Sequence, residues 1–468
     1  MRKAILLSTL LLVSCTVGPN YRRPDVQAPA NFRGASFDQL STPSTTSLAD
    51  TKWFDLFKDD VLKQLITTAI AGNFDLRIAA ERIMQSRSEL GEQRSFLFPT
   101  VDAQAQFAAV RTSKTGSFKL PAGSTLLSDV SYTQFGFSLG WELDVWGRVR
   151  RLNEAARAQY LATEEARRGV TTTLIADVTS TYMALRELDL ELEISQKTRK
   201  VAEDSLRLTQ IRHRQGAVTA LDESQAEQFL YSATAQVAST EREIGQTENA
   251  LSVLLGNSPG DIPRGRTLEE LEAPLAVPAG LPSALLERRP DVLEAEQTLI
   301  AANAQIGAAR AQYFPQIDLT AFMGGQSRAL TGLFTGPARA WTFASPASLP
   351  IFNAGRIRSR VQYAEAVQRE MVVSYDKTIQ NAFREVSDAL IGYEKTREQR
   401  SQQERLVQAL RETNRLSEMR YRGGIESYLQ VLDAERNLFQ GELALARLRQ
   451  QELTAVVQLY RALGGGWE

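Results

Sequence analysis

The chain has one cysteine and one histidine in 468 residues. A single thiol forbids an internal disulfide, and so few soft ligands exclude most nitrogen–sulfur metal sites. Nucleophile–base pairs of the Cys–His kind are nearly excluded on the same count. An excess of one charge is missing too: 54 Lys plus Arg stand against 55 Asp plus Glu, a formal net charge of -1. Without a global positive field, nucleic acid is not an expected partner. No stretch approaches roughly 18 consecutive apolar residues, so no transmembrane helix is expected. A membrane crossing by this chain would have to use strands. Proline is missing between Pro121 and Pro259 and again after Pro350, which leaves room for very long helices.

What is present begins with an address. Arg2 and Lys3 precede the apolar run Ala4 to Val13, and Ser14-Cys15 follows. A basic start, a short apolar core and small residues describe an export signal over residues 1–14. Leu12-Val13-Ser14-Cys15 resembles the bacterial lipobox, and the only thiol of the chain falls where that chemistry needs one. The resemblance implies lipidation at Cys15. Thr16 rather than Asp follows it, which implies outer-membrane placement. Pro24, Pro29 and Pro43, with Ser and Thr between them, read as an extended tether; residues 15–60 are assigned to this tether and an equatorial segment.

The body is duplicated. Phe98-Pro99-Thr100-Val101-Asp102 returns as Phe314-Pro315-Gln316-Ile317-Asp318, and Gly91 and Arg94 return as Gly307 and Arg310, all at a shift of 216. Gly147-Arg148 returns as Gly355-Arg356, Gly216 as Gly424, Ala226-Glu227 as Ala434-Glu435 and Leu255-Gly256 as Leu463-Gly464, all at a shift of 208. One change of register between two constant shifts means a tandem repeat with one length difference. The repeats are expected at 61–260 and 286–468, with a linker or equatorial segment at 261–285.

Each repeat reads as helix, two strands, very long helix, turn and long helix. The proline-free tracts are dense in good helix formers, giving helices at about 148–214, 219–256, 356–422 and 426–463. A helix of the first kind would be roughly 100 Å long and needs coiled-coil neighbours along its length. Between helices the period changes to two. Phe135, Phe137, Leu139, Trp141 and Leu143 alternate with small and polar residues, as do Val101 to Ala109, Ile317 to Met323, Trp341 and Phe343, and more weakly Leu349 and Ile351. Strands are expected at about 100–113, 130–145, 316–324 and 340–350. Their length suits tilted membrane strands, and Phe96, Phe98, Trp146, Phe314 and Phe352 gather at the helix-proximal ends, as at a membrane interface. A soluble antiparallel sheet with one dry face would show the same alternation. Thr112–Asp129 and Gly325–Arg339 read as hairpin loops.

These features together resemble the outer-membrane factors of bacterial efflux and secretion systems, the TolC–OprM family, with the lipoprotein OprM branch most similar. The residues carrying the resemblance are the lipobox, Gly18-Pro19-Asn20-Tyr21, Trp53-Phe54, Glu287-Arg288-Arg289-Pro290-Asp291 and Pro350-Ile351-Phe352-Asn353-Ala354-Gly355. Arg420-Tyr421-Arg422-Gly423-Gly424, Val431-Leu432-Asp433-Ala434-Glu435 and Leu463-Gly464-Gly465-Gly466-Trp467 complete the set. The resemblance implies a mainly α chain with a membrane β-barrel part. A homotrimer would build a 12-stranded barrel from four strands per chain, continued by a periplasmic α-helical barrel. It implies a passive outer-membrane exit duct for drugs or other small amphiphiles, loaded by a periplasmic adaptor and an inner-membrane pump of the RND type. An exit duct for secreted proteins and a lipid-anchored coiled-coil scaffold without a pore are the alternatives.

Conduction needs no catalytic residue, metal or cofactor, and none is expected. The resemblance places the periplasmic constriction at Leu429, Asp433, Asp222, Tyr421 and Glu426, and adaptor contacts at the reversals Gly216, Gly423 and Gly424. Glu426 stands where TolC carries Arg, and Gln430 where it carries Asp, so any closed-state salt bridge is wired differently here. His213 is expected to be a surface residue near a helix tip.

Overall fold

The computed structural model describes residues 16–26, 28–29, 31–33, 47–48, 57–111, 129–271 and 282–466. Cys15, the export signal, Trp53-Phe54, Trp467 and nearly all of the first hairpin loop lie outside the described residues. The elements are α1 (Asp60–Gly72), α2 (Phe74–Ser95), β1 (Thr100–Arg111), β2 (Asp129–Leu143), α3 (Arg148–Arg214) and α4 (Ala220–Leu254). They continue as α5 (Pro282–Arg288), α6 (Pro290–Ala311), β3 (Gln316–Ser327), β4 (Arg339–Ala344), β5 (Ala347–Ser348), α7 (Arg356–Arg422) and α8 (Tyr428–Ala462).

The duplication is visible in these lengths. α2 and α6 have 22 residues each, β1 and β3 have 12, α3 and α7 have 67, and α4 and α8 have 35. The change of register therefore falls in the hairpins. β2 runs for 15 residues, whereas its counterpart breaks after Ala344 and resumes only as the two-residue β5. Pro346 lacks the N–H a ladder needs, and its carbonyl instead accepts from the Asp318 amide at 3.0 Å. Leu349 and Ile351, placed in a strand by their alternation, lie outside it for this reason. β3 also extends to Ser327, past the Gly325 at which the loop was expected to start.

Two compact units emerge, and neither is one repeat. The first holds described residues up to Pro24, Ile83–Ala162 and Glu296–Ser374; the second holds Asp25–Arg82, Thr163–Ala295 and Tyr375–Glu468. Each draws on both repeats because an amphipathic helix buries its seam against another helix, here one from the other repeat, as α3 does against α6 and α4 against α8.

In the first unit the strands pair antiparallel in the order β1-β2-β3-β4, with β5 on β3. The register sorts the side chains cleanly. On one face lie the rows Val101–Leu139–Ala321–Phe343, Ala103–Phe137–Met323–Trp341 and Ala105–Phe135–Gly325–Arg339, with Trp141–Leu319 and Leu143–Ile317 beyond. On the other lie Thr100–Gly140–Thr320, Asp102–Ser138–Phe322 and Gln104–Gly136–Gly324, with Glu142–Asp318 beyond. The first face is apolar over five rows apart from Arg339, and over the same span the second is small or polar except for Phe322, whose ring covers the Gly136–Gly324 pair. The apolar face is exposed: Met323 is 75% accessible, Trp341 77% and Phe137 57%. Small residues let the helices beside it approach, with Ala155 and Ala158 of α3 against Ala301 and Ala304 of α6.

The segment Thr16–Pro24 has no helix and is nonetheless pinned. The Val17 amide donates to the Trp146 carbonyl at 3.0 Å, Arg151 donates to Asn20 at 2.8 Å, and Asn303 donates to the Pro19 carbonyl at 3.1 Å. Tyr21 and Arg23 both donate to Glu296, at 3.0 and 2.7 Å. Gly18 has φ +103°, and a Cβ there would come within 2.4 Å of the Gly307 Cα. Only glycine fits that crossing.

In the second unit Asp59 ties the start of α1 to α3. Its carboxylate accepts from the Val61 and Leu62 amides, from the Tyr182 hydroxyl at 3.0 Å and from the Arg266 amide at 3.1 Å. Burial pushes the Tyr182 hydroxyl up to about 12, so it stays a donor. Arg289 is 7% exposed and donates to Asp291, to Glu385 at 2.7 Å and to the Ala462 carbonyl at 3.1 Å. These bonds join α5, α6, α7 and the end of α8.

Candidate functional site

The two helix reversals in the second unit are built on one frame. α3 ends at Arg214, Gly216 takes φ +72°, and the Ala217 amide donates back to the Arg212 carbonyl at 2.9 Å. α7 ends at Arg422, Gly424 takes φ +72°, and the Ile425 amide donates back to the Arg420 carbonyl at 3.0 Å. A glycine in the left-handed region with this long return bond is the usual helix stop. Gly423 has no positive φ and serves as the residue before the turn.

The starts of the next helices differ. Thr219 and Asp222 form a reciprocal capping box: the Thr219 hydroxyl accepts from the Asp222 amide at 3.3 Å, and the Asp222 carboxylate accepts from the Thr219 amide at 2.8 Å. Asp222 thus works as a helix cap. His213, at the end of α3, lies 2.6 Å from the Glu223 carboxylate and so spans the reversal. α8 has no such cap, since Ser427 makes no side-chain bond to the helix it starts. Its reversal is held instead by Arg420 donating to Glu426 at 2.8 Å and by aromatic packing. Tyr421 and Tyr428 lie 5.6 Å apart, the Arg212 guanidinium stands 4.8 Å above the Tyr421 ring, and the Tyr428 hydroxyl meets Ser205 at 2.8 Å.

Tyr428, Val431 and Leu432 bury against Ala202, Ala226 and Phe229. Leu429 and Asp433, one helical turn apart, are on the opposite side. Leu429 is 49% exposed, and Asp433 is exposed and accepts from Asn437 at 3.1 Å. The arrangement brings Leu429 and Asp433 onto one open face, keeps Tyr421 and Glu426 as internal ties, and puts Asp222 at the other reversal. Sequence reasoning passed over Leu221, which is 65% exposed. The shift of 208 makes it the counterpart of Leu429, so the repeat itself carried the signal.

Buried carboxyls lie along the same helices. Burial, and then the charge of Glu191, pushes the Glu187 carboxyl up to about 8, while Glu191 accepts from Arg447 at 2.7 Å. Burial, with Glu418 near, pushes the Glu435 carboxyl up to about 7. Among the described residues no three His, Cys, Asp or Glu side chains are grouped to hold a metal, and no helix is long and apolar enough to cross a membrane.

Known proteins share this frame. Residues 65–257 and 281–465 match the family described as Outer membrane efflux protein, one match for each repeat. The chain belongs to that family. It is similar to the toluene efflux pump outer membrane protein TtgC of Pseudomonas putida, 38% identical over all of this chain and 96% of the relative. It is also similar to the cation efflux system protein CusC of Escherichia coli, 35% identical over 98% of this chain and 97% of the relative. The open-state structure of the Neisseria gonorrhoeae MtrE outer membrane channel matches with a TM-score of 0.87 at 32% identity, covering 97% of this chain and 99% of that one. An outer-membrane efflux channel is therefore the frame in which Leu429, Asp433 and the two sheet faces are to be understood.

Proposed function

We propose that three copies of this chain form the passive exit duct of a tripartite efflux system in the outer membrane of a Gram-negative bacterium. The observation carrying the reading is the register of the sheet, which separates an exposed, mainly apolar face from a polar one over the five rows nearest the helices. The apolar face meets lipid and the polar face lines a wet lumen. Among the described residues β1 and β4 each have one unpaired edge, and open edges are not tolerated in a bilayer. Three four-stranded sheets close a 12-stranded barrel. The duct has no reaction to catalyse; an inner-membrane pump, of the RND type, supplies the energy, and a periplasmic adaptor joins pump to duct at the reversals around Gly216, Gly423 and Gly424. Small amphiphiles are the cargo, in keeping with the solvent named for the P. putida relative.

Leu429 and Asp433 form the periplasmic constriction, with Tyr421 and Glu426 holding the second reversal in place behind them. Three-fold symmetry stacks an apolar ring and an acidic ring, the first resisting hydration and the second favouring cations. Cys15 carries acyl chains that add to the barrel's own anchorage. Thr16, the next residue, packs against Gly147 beside the stacked Trp146–Phe314 pair, the height at which interface aromatics sit.

The test is parity. Leu139→Arg puts a charge on the apolar face and should cost about 2–4 kcal/mol if that face meets the bilayer midplane, with loss of heat-resistant trimers on a gel. Ser138→Arg, one residue away, should leave trimers intact. Equal tolerance at both positions would mean that the sheet is not in a membrane, and the pore-free scaffold would then stand.

A further inference from the structure

The loop between β3 and β4 does not extend away from the sheet. Two short 3-10 turns, Leu330–Gly332 and Gly336–Ala338, fold it back, and it comes to rest on the apolar face. The Leu333 carbonyl lies where a Cβ on Gly325 would be, 2.3 Å away, so glycine at that position makes the landing site. Leu333 is 5% exposed beneath the loop, and the Phe334 ring meets Phe135 edge-on at 5.9 Å. Phe135, Gly325 and Arg339 are one cross-strand row. The loop thus ends in a guanidinium on the apolar face.

That arginine needs an explanation. Arg339 shares its face with Trp341 and Phe343, both largely exposed. Arg328, at the start of the loop, is exposed as well. From residue 319 to residue 364 the sequence has five arginines and no aspartate or glutamate, so that stretch has no carboxylate of its own, and the nearest in β3, Asp318, lies at the helix-proximal end of the strand. Neither the Arg328 nor the Arg339 guanidinium makes a hydrogen bond or ion pair with any described residue. Height is informative too. Eight residues along β2 separate Leu143–Ile317, next to the helices, from Phe135–Gly325–Arg339. That is about 27 Å along the strands, or roughly 20 Å of membrane thickness at barrel tilt, close to the outer edge of the apolar band.

We propose that Arg328 and Arg339 bind the phosphate groups of an outer-leaflet glycolipid, whose acyl chains lie along Trp341, Phe334 and Leu330. Guanidinium forks suit phosphate oxygens, which they hold in paired bonds. Phe334 is 81% exposed and Leu330 70%, so the folded-back loop presents apolar side chains next to the cations, at the depth where headgroup gives way to acyl chain. The occupant is a lipid of the outer leaflet, not a soluble anion, because the cations border an apolar surface. The inference rests on the proposal that this face meets the membrane.

The full-length protein, purified in detergent, is offered bis-phosphorylated lipid A and its dephosphorylated form with the same acyl chains, and retained lipid is counted by native mass spectrometry. Two cations at an anionic headgroup should favour the phosphorylated lipid by roughly 30-fold. Arg328→Gln with Arg339→Gln should abolish the preference without changing the assembly, and the double Lys variant should retain most of it. Excess inorganic phosphate should leave the lipid in place. Equal uptake of the two lipids by the unaltered protein, a preference that survives in the Gln variant, or displacement by inorganic phosphate would each overturn the assignment. A spin label at Leu139→Cys separates the two proposals. A label reached by oxygen but not by a water-soluble nickel chelate, with no phosphate preference, sinks the lipid site alone. A label reached by the chelate sinks the membrane reading and the site together.

Discussion

The two repeats match in the length of their long helices and part company at the ends of those helices. α3 and α7 have the same 67 residues of length, and α4 and α8 the same 35. Their reversals use glycines with the same φ of +72°. Yet the first reversal is closed by a capping box and a His213–Glu223 contact, whereas the second has a bare N-cap, one arginine–glutamate pair and a tyrosine cluster. The hairpins diverge likewise, with a 15-residue β2 in one repeat and a broken β4–β5 in the other. Duplication supplied a stiff frame twice over. What differs are the parts proposed to move, to bind and to close.

Substitutions at matched positions sharpen this contrast. The largest effect is expected at Leu432, fully buried in the second repeat. Leu432→Ala should cost about 2–5 kcal/mol as a core truncation, while Ala at its exposed counterpart Ser224 should leave the thermal midpoint unchanged. A neutral Leu432→Ala would mean that α8 is not seated as described.

Glu435 comes next and adds a pH dependence. Its folded carboxyl titrates at about 7, above the ordinary glutamate value, so the folded chain binds a proton that the unfolded chain gives up. The resulting destabilisation is absent below the unfolded value, grows from about pH 4.5 to pH 7, and is full above that. Glu435→Gln should therefore stabilise the protein by roughly 2–3 kcal/mol at pH 8 and hardly at all at pH 4. Unfolding midpoints at the two pH values check it, and an equal effect at both would remove burial as the cause.

How much of this was legible in the sequence depends on range. Gly216 and Gly424 stood out because a helix stop needs only its own turn. The sheet faces were legible because alternation at Phe135–Leu143 is local, and the repeat showed itself through fixed shifts. Pro346 would have broken the fourth strand on paper had its missing N–H outweighed the alternation of Leu349 and Ile351. Thr219 and Asp222 have capping-box spacing, but family position drew attention to Asp222 as a constriction residue instead. Nothing local revealed that Gly18 crosses Gly307, or that Arg289 reaches Glu385 and the Ala462 carbonyl. Those contacts join residues far apart in the chain, and only the fold brings them together.

The glycines give a smaller, symmetric test. Nothing lies within 4 Å of a Cβ placed on Gly216 or Gly424, so only the left-handed backbone opposes alanine, at about 1–2 kcal/mol for each. Gly423→Ala should be tolerated, since its φ is ordinary and its nearest contacts are at 3.5 Å. Unequal costs at Gly216 and Gly424 would show that the two reversals are not one frame. The smallest expected effect separates the caps. Thr219→Ala should lose about 1 kcal/mol and Ser427→Ala close to nothing, as read from unfolding midpoints. A costly Ser427→Ala would erase the difference between the reversals.

The measurement that bears most directly on the account is single-channel conductance in planar bilayers, comparing the unaltered protein with Leu429→Ala, Asp433→Ala. Because Leu429 is half exposed within its own chain, its truncation opens no cavity in the protomer, and trimers should persist. The account predicts higher conductance and weaker cation selectivity in the double variant. A tightly closed channel with unchanged selectivity would contradict it and move the constriction to other residues.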